Sequence, residues 1–371
     1  MQRAQPFVLK KNKKDRLMSK FFSAKYAALT PYVPGEQPKD AQYIKLNTNE
    51  SPFAPPASVV EAAKTEAGKL HLYSDPESAA LTEKAAEVWG VKRSQVLMTN
   101  GSDEALNFAF MAFCDEKHPI VFPDITYGFY PVFAELNGIP YEKIPLKKDF
   151  SVDYQDYVGI GKNIVIANPN APTGLALPLW QIEEIVKSNP NNVVIIDEAY
   201  VDFGGESCVP LIEKYDNLLV TQTFSKSRSL AGGRLGLAIG CEKLIADLNT
   251  LKYSTNPYNV NRMTAAAGFA ALCEREWFEK NCAAIQEVRA YTAESLANLG
   301  FTVLDSKTNF LFAKSDKIGG KALYEKLKAK GVLVRQFNAP RIADFVRITI
   351  GTRAQMDVFL AKTAEILEEE K

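Results

Sequence analysis

Apolar positions along the chain fall into two spacings, short unbroken runs and longer stretches of helical period. Asn163–Ala167 (NIVIA), Asn192–Ile196 (NVVII) and Leu218–Thr223 (LLVTQT) are short runs rich in β-branched residues. Such runs suit strands covered on both faces, as in a parallel sheet. Leu179–Lys187 lies between the first two and reads as a helix, which predicts a βαβ unit. Upstream, helices are predicted over 57–69 and 77–89, the second rich in Ala, Glu and Leu, and a strand over Gln95–Thr99. The turn Asn100-Gly101-Ser102-Asp103 then leads into an apolar helix to about Cys114. Pro119–Phe122 predicts a strand, with a helix from about Gly128 to Leu136 after it. Beyond about residue 262 a long helical region runs to about 299. Strands at Phe301–Leu304, Phe310–Ala313, Val332–Gln336 and Phe345–Ile350 follow, with helices over 319–330 and at the C-terminus. The expected class is α/β, a large domain with a mostly parallel, doubly wound sheet plus a smaller α+β domain.

Charge narrows the partners. Among 371 residues, 44 Lys+Arg balance 44 Asp+Glu, so there is no whole-chain basic footprint for nucleic acid. Lys10, Lys11, Lys13, Lys14 and Arg16 form a basic cluster with no apolar stretch after it. It reads as a solvated arm rather than a secretory signal, and Met18 offers a second start. No run approaches the roughly 18–20 apolar residues of a membrane span. Two histidines, His71 and His118, are too few for a His-rich metal centre. Five cysteines without a CxxC pair read as free, mostly buried thiols of a reducing compartment, the cytoplasm.

Each core strand runs into polar chemistry. NIVIA leads to Asn168-Pro169-Asn170-Ala171-Pro172-Thr173-Gly174, NVVII to Asp197-Glu198-Ala199-Tyr200, and LLVTQT to Phe224-Ser225-Lys226 and then Gly232-Gly233-Arg234. Ligands of open α/β sheets sit beyond the carboxyl ends of the strands, so these termini predict one site. A carboxylate directly after four aliphatic residues, Asp197, needs a cationic or donor partner; the bland reading is a cap or a structural ion pair. Lys226 alone is weak evidence, but the pair is not. Pyridoxal phosphate joins a lysine amine as a Schiff base and uses a carboxylate to keep its ring nitrogen protonated. Its phosphate needs a cradle. The helix start at Ser102 and Asp103 offers free N–H groups, Thr223 and Ser225 offer hydroxyls, and Arg234 offers a charged fork. Taken alone, Gly101–Glu104 would be an ordinary helix cap, and Tyr127 core packing. With the cofactor in view, Tyr127 can stack on its ring, and Asn170 and Tyr200 can reach its phenolic oxygen.

As an ordered set, Asn168–Gly174 (NPNAPTG), Asp197–Tyr200 (DEAY), Ser225–Arg234 (SKSRSLAGGR) and Arg347 in VRITIGT resemble the fold-type-I pyridoxal-phosphate aminotransferases. Leu46–Pro56 (LNTNESPFAPP), Tyr73-Ser74-Asp75-Pro76, GSDE and RITIGT narrow the likeness to histidinol-phosphate aminotransferases. The resemblance implies a basic extension over 1–24, a segment 25–56 packing on the small domain and active site, a large cofactor domain over 57–262 and a small domain over 263–371. It implies Lys226 as the cofactor-linking general acid/base, Asp197 on the ring nitrogen, Tyr200 and Asn170 on the phenolic oxygen and Tyr127 on the ring. Ser102, Asp103, Ser225 and Arg234 would hold the phosphate. A homodimer would bring Tyr73 to the partner's cofactor. Arg335 and Arg347 would bind the substrate phosphate, and Arg347 also the carboxylate of glutamate and 2-oxoglutarate; Asn49 and Glu50 would border the substrate. Arg228 stands out as an extra cation beside the cofactor, and Arg341 as another near the substrate arginines.

The implied reaction passes the amino group of L-histidinol phosphate to 2-oxoglutarate. Rival readings are a broad or aromatic aminotransferase and a threonine-phosphate decarboxylase. A silent binding protein is a further class, against which Lys226 and Asp197 both stand. A nicotinamide dehydrogenase has only Gly159-Ile160-Gly161 in its favour, without the remaining glycine of that fingerprint.

Overall fold

The aliphatic runs become the centre of a seven-stranded sheet, because a strand apolar on both faces is stable only between two covering layers. The computed structural model describes residues 19–38 and 42–370; the basic cluster and Met18 lie outside these. In chain order, β1 (Ile44–Lys45) precedes α1 (Ala57–Ala67), α2 (Ala79–Trp89), β2 (Val96–Thr99), α3 (Ser102–Phe113), β3 (Ile120–Pro123), α4 (Tyr130–Asn137) and β4 (Tyr141–Ile144). Then come β5 (Asn163–Ala167), α5 (Leu179–Ser188), β6 (Val194–Asp197), β7 (Leu218–Thr223), β8 (Gly236–Gly240), α6 (Glu242–Thr255), α7 (Arg262–Cys273) and α8 (Arg275–Asn298). The C-terminal part holds β9 (Phe301–Val303), β10 (Phe310–Ser315), α9 (Gly320–Ala329), β11 (Val332–Leu333), β12 (Arg335–Gln336), β13 (Phe345–Thr349) and α10 (Arg353–Glu369).

The large sheet has the order β2-β8-β7-β6-β5-β3-β4. β4, β3, β5, β6 and β7 are parallel, and β8 is antiparallel to both β7 and β2. Side chains alternate between the faces. Val121, Ile164, Ile166, Ile196 and Val220 face α2, α5 and α7, while Phe122, Val165, Ile195 and Leu219 face α3, α4 and α6. The chain leaves β3 toward one edge of the sheet and returns at β5 to build toward the other. The crevice beyond these strand ends is where such sheets bind ligands.

A second lobe carries the antiparallel sheet β12-β13-β10-β9, with a core that includes Ile285, Leu311, Val346, Ile348 and Phe359. β1 joins this lobe through parallel pairing of Ile44 with Val332. Three expectations change. Val332–Gln336 is split, with β11 pairing β1 and β12 pairing β13. The helical region breaks at Glu274 (φ −91°, ψ 55°). α7, expected to open the C-terminal lobe, packs on α1 and α2 and puts Ala267, Ala271 and Leu272 into the first core, so the change of core comes at Glu274 rather than at 262/263. β4, β8 and α6 were not read from the sequence. β4 is a partly exposed edge strand, and β8 begins and ends in glycine.

Gly236 explains the glycine at the start of β8. A Cβ there would lie 2.3 Å from Ser102 N and 2.5 Å from the Gly101 carbonyl carbon, both backbone atoms that cannot swing aside. Gly232 has nothing within 4 Å of its Cβ position. Gly236→Ala is expected to lower stability by about 1–3 kcal/mol through overpacking. Gly232→Ala is the near-neutral control, and urea unfolding of both variants measures the difference.

Candidate active site

The ends of β5, β6 and β7 and the start of α3 open into one cavity, which Asp197 and Lys226 both line. Register places Asp197 between Ala167 of β5 and Thr221 of β7. Only 4% of it is exposed. Its Oδ2 accepts from Tyr130 Oη at 2.9 Å, and its Oδ1 from Ala199 N at 3.3 Å and Thr221 Oγ1 at 3.4 Å. Burial pushes the Asp197 pKa up to about 6, against the pull of these hydrogen bonds. Lys226 stands on the loop after β7, its Nζ 5.8 Å from the Tyr200 ring centroid. Near it, Glu50 takes hydrogen bonds from Lys45 (2.9 Å) and Thr48 (2.9 Å). Burial would raise the Glu50 carboxyl, but these bonds and the charges of Lys45 and Lys226 outweigh it and hold its pKa low.

An anion cradle forms the far end. Gly101 is the N-cap of α3 and makes no side-chain cap, so the first N–H groups of the helix stay available, with the positive end of its dipole. Ser102, Asp103, Thr223, Ser225 and Arg234 line the cavity here. Thr223 Oγ1 lies 3.0 Å from Ser225 Oγ, and Arg234 reaches Ser225 Oγ at 3.3 Å and Asp103 Oδ2 at 3.3 Å. Arg234 holds a left-handed φ of 52°, the kind of strained backbone that collects at functional sites. A Cβ at Gly101 would meet Arg234 Nη2 at 2.5 Å, so only glycine leaves the guanidinium its place.

The aromatic walls are tied to this frame. Tyr127 Oη donates to Asp103 Oδ1 at 2.8 Å; burial, then the Asp103 charge, pushes the phenol well above its usual pKa. The Tyr200 ring meets Phe310 edge-on at 5.1 Å. Asn49, with φ 56°, donates through Nδ2 to Tyr200 Oη at 2.9 Å. Asn170 departs from expectation. Its Oδ1 takes Thr126 Oγ1 (2.7 Å), and its Nδ2 gives to Ile125 O (3.0 Å) and Thr173 Oγ1 (3.0 Å). Both amide hydrogens are engaged, one by the segment after β3 and one within Asn170's own loop, and the neighbouring Ala171 faces the cavity instead.

Beyond Tyr200 the cavity continues past Asn49 to Arg335 and Arg347. The two arginines are direct partners across β12 and β13. Arg347 Nη2 donates to Asn47 O at 3.0 Å, and its Nε has no hydrogen-bond partner among the described residues. Burial brings its pKa down. Its guanidinium lies 5.3 Å from the Phe310 ring centroid and 5.8 Å from that of Phe337. Arg335 makes long bonds to Pro34 O (3.4 Å) and Val33 O (3.2 Å). Among the described residues neither arginine has a carboxylate within ion-pair distance. Arg341 is not part of this pair, because it is neutralised by Asp124 at 3.0 Å and bonded to the carbonyls of Leu146 and Lys147. Arg228, expected beside the cofactor, lies outside the cavity among Trp89, Phe224 and Phe278. Tyr73 is 80% exposed, away from this cavity, and stacks on Tyr258 at 4.6 Å. Tyr130, Thr221 and Tyr32, which also borders the arginine end, had no sequence signal.

The donor set fits pyridoxal phosphate: an amine, a buried carboxylate in want of a cation, and an uncapped helix start with an arginine fork. The family model for aminotransferase class I and II matches residues 41–362. A histidinol-phosphate aminotransferase of Brachyspira hyodysenteriae is 49% identical over 354 residues, 95% of this chain and 100% of that one. One from Clostridium acetobutylicum is 45% identical, over 94% of this chain and 100% of its own. In three dimensions, the histidinol-phosphate aminotransferase of Sinorhizobium meliloti in complex with pyridoxal-5'-phosphate superposes with a TM-score of 0.87 at 22% identity, covering 95% of this chain and 99% of that one.

The Asp197 carboxyl has a pKa of about 6 in the fold against 3.8 in the free side chain. The folded chain therefore binds this proton more tightly, and the stability it contributes is full below about pH 4 and lost as pH rises through about 6. In cofactor-free protein, Asp197→Asn should match the parent near pH 4 and exceed it at pH 8 by ~3 kcal/mol, at about 1.4 kcal/mol per unit. Urea unfolding at the two pH values measures it.

Proposed function

The chain belongs to the class I and II aminotransferases, and from that premise we propose that it transfers the amino group of L-histidinol phosphate to 2-oxoglutarate, giving imidazole acetol phosphate and L-glutamate. The observation that carries this reading is the facing pair Arg335 and Arg347. Like charges directly opposite on a strand pair are destabilising unless an anion lies between them. Two forks fit a phosphate dianion. A plain aromatic substrate would leave them without a partner. Arg347 alone would serve the side-chain carboxylate of glutamate.

Pyridoxal 5'-phosphate supplies an aldehyde for amine exchange and an electron-poor ring that draws charge from the adjacent carbon. The protein's residues do the rest. Lys226 Nζ would hold the cofactor and would serve as the general acid/base that moves the proton at the donor's α-carbon. Asp197 would find the cation its burial calls for in the cofactor's protonated ring nitrogen, and Tyr127 would cover the ring. Ser102, Asp103, Thr223, Ser225 and Arg234 would hold the phosphate, and Tyr200, steadied by Asn49, would donate to the phenolic oxygen.

The reading includes a homodimer in the cytoplasm. It is supported by exposed Leu70, Leu72 and Tyr73 on one short segment, and by the clamp that Arg262 Nη1 places on Tyr73 O at 2.9 Å. A tyrosine held firmly yet 80% exposed suits a role in the partner's site.

Purified protein should show a visible band with pyridoxal phosphate, and Lys226→Ala should not. Among histidinol phosphate, phenylalanine and threonine phosphate, the first should turn over fastest, without release of carbon dioxide. Arg335→Ala should raise KM for histidinol phosphate about ten- to a hundredfold, the loss of one or two charged hydrogen bonds of about 1.5–3 kcal/mol. Its KM for glutamate should barely move, whereas Arg347→Ala should raise both. Phenylalanine turned over as well as histidinol phosphate would overturn the assignment.

A further inference from the structure

The loop that presents Lys226 is fastened at the residues around it. It closes on itself through Leu230 N to Phe224 O (3.0 Å) and Ser229 N to Lys226 O (3.3 Å). Ser227 Oγ donates to Asp202 Oδ2 at 2.5 Å, in the turn after Tyr200. Ser229, in a left-handed φ of 56°, donates to Ser51 Oγ at 2.8 Å, next to Glu50. Between these serines stands Arg228. It is 7% exposed and is turned away from the cavity that Lys226 lines.

Its guanidinium lies 4.2 Å from the Phe278 ring centroid and 5.5 Å from those of Trp89 and Phe224. Its hydrogen bond, Nη1 to Ala271 O, is long at 3.4 Å. No carboxylate stands within ion-pair distance among the described residues; Asp202 and Cys282 are the titratable groups that act on it. A buried cation without an ion-pair partner is a poor source of stability, since an apolar side chain of similar size packs as well or better. The cage has another property. Trp89 and Phe224 pack against the core of the large lobe, and Phe278 against that of the second. Ala271 is near the end of α7, just before the chain changes core at Glu274. The guanidinium is thus a pin driven from the Lys226 loop into the seam between the lobes.

We infer that Arg228 is a positioning residue for Lys226, holding the loop so that Nζ meets the donor's α-proton at the right distance. This rests on the reading of Lys226 as the cofactor-linking amine. A misplacement of about 1 Å costs on the order of 100-fold in rate.

The test compares holoenzyme of the parent, Arg228→Met and Arg228→Lys. It reads kcat and KM, the pH midpoint of the visible band, and thermal unfolding of each form. The titratable groups that share the cavity with Lys226, namely Glu50, Asp103, Asp197, Tyr127, Tyr200 and Arg234, are the same in all three. The methionine variant should lose at least about tenfold in kcat with KM within about threefold, the mark of an interaction made in the transition state. Its band midpoint should shift, and lysine, which keeps the cation–π contact, should recover part of both. An unchanged kcat and midpoint would overturn the inference, as would losses that only track a lower unfolding temperature. Should Arg228→Met fail to fold, Phe278→Leu removes the nearest cage wall and is judged by the same two outcomes. A parent without a visible band would instead sink the reading of the site itself.

Discussion

A carboxylate at the end of an interior strand, 4% exposed and flanked by strands on both sides, is stable in its charged form only when a cation comes to it. Asp197 is such a group. Tyr130, Thr221 and Ala199 N donate to it, but none of them carries a charge. Its pKa stays up near 6, a group waiting for a positive partner. The sheet order explains why that partner can be a ligand. Strand register lines Asp197 up with Ala167 and Thr221, beside the crevice where chain direction reverses. The cradle at Gly101 and the amine of Lys226 then set how far a ring and its phosphate can reach from that carboxylate.

The second lobe repeats the logic with the opposite sign. Arg335 and Arg347 face each other across β12 and β13, a pairing that repels unless something anionic is shared. Within the protein they find carbonyl oxygens of Val33, Pro34 and Asn47, which are dipoles rather than charges. One lobe thus presents a buried anion and the other a pair of cations, and a cofactor with a phosphorylated amine satisfies both at once. The N-terminal segment supplies the carbonyls and so belongs to the site as much as either lobe does.

Much of this was legible in the sequence, and the limits are physical. β5, β6 and β7 announced themselves because strands buried on both faces read as near-continuous β-branched and aliphatic runs. Asp197 and Lys226 were legible as a pair because few chemistries need a lysine and a buried carboxylate at neighbouring strand ends. β8 was hidden because its end glycines answer to close approaches, Gly236 to Ser102 N and Gly240 to Leu219 and Leu218 O, and leave an apolar run of only three residues between them. Tyr130 was hidden because its partner is 67 positions away, and no local spacing encodes such a contact. Asn170 and Arg228 were misplaced for one shared reason. Closeness to a functional residue along a loop does not decide which side of the loop a side chain takes. Asn170 turned toward the Ile125 carbonyl after β3 and the Thr173 hydroxyl of its own loop, and Arg228 into an aromatic cage.

Asn49 shows how the two lobes are brought to one chemistry. It is 1% exposed, and its backbone N–H donates to Thr349 Oγ1 at 2.9 Å. The Thr349 hydroxyl donates in turn to Asn49 Oδ1 at 3.0 Å. The other end of the amide, Nδ2, donates to Tyr200 Oη at 2.9 Å. A phenol that already accepts a hydrogen bond has its own proton left to give. Tyr200 Oη lines the cavity beside Lys226, where that proton can meet a phenolic oxygen. A threonine on β13, in the arginine-bearing lobe, thereby orients a donor on the loop that follows β6 in the other lobe. The left-handed φ of Asn49 is the strain that this relay tolerates to bridge them.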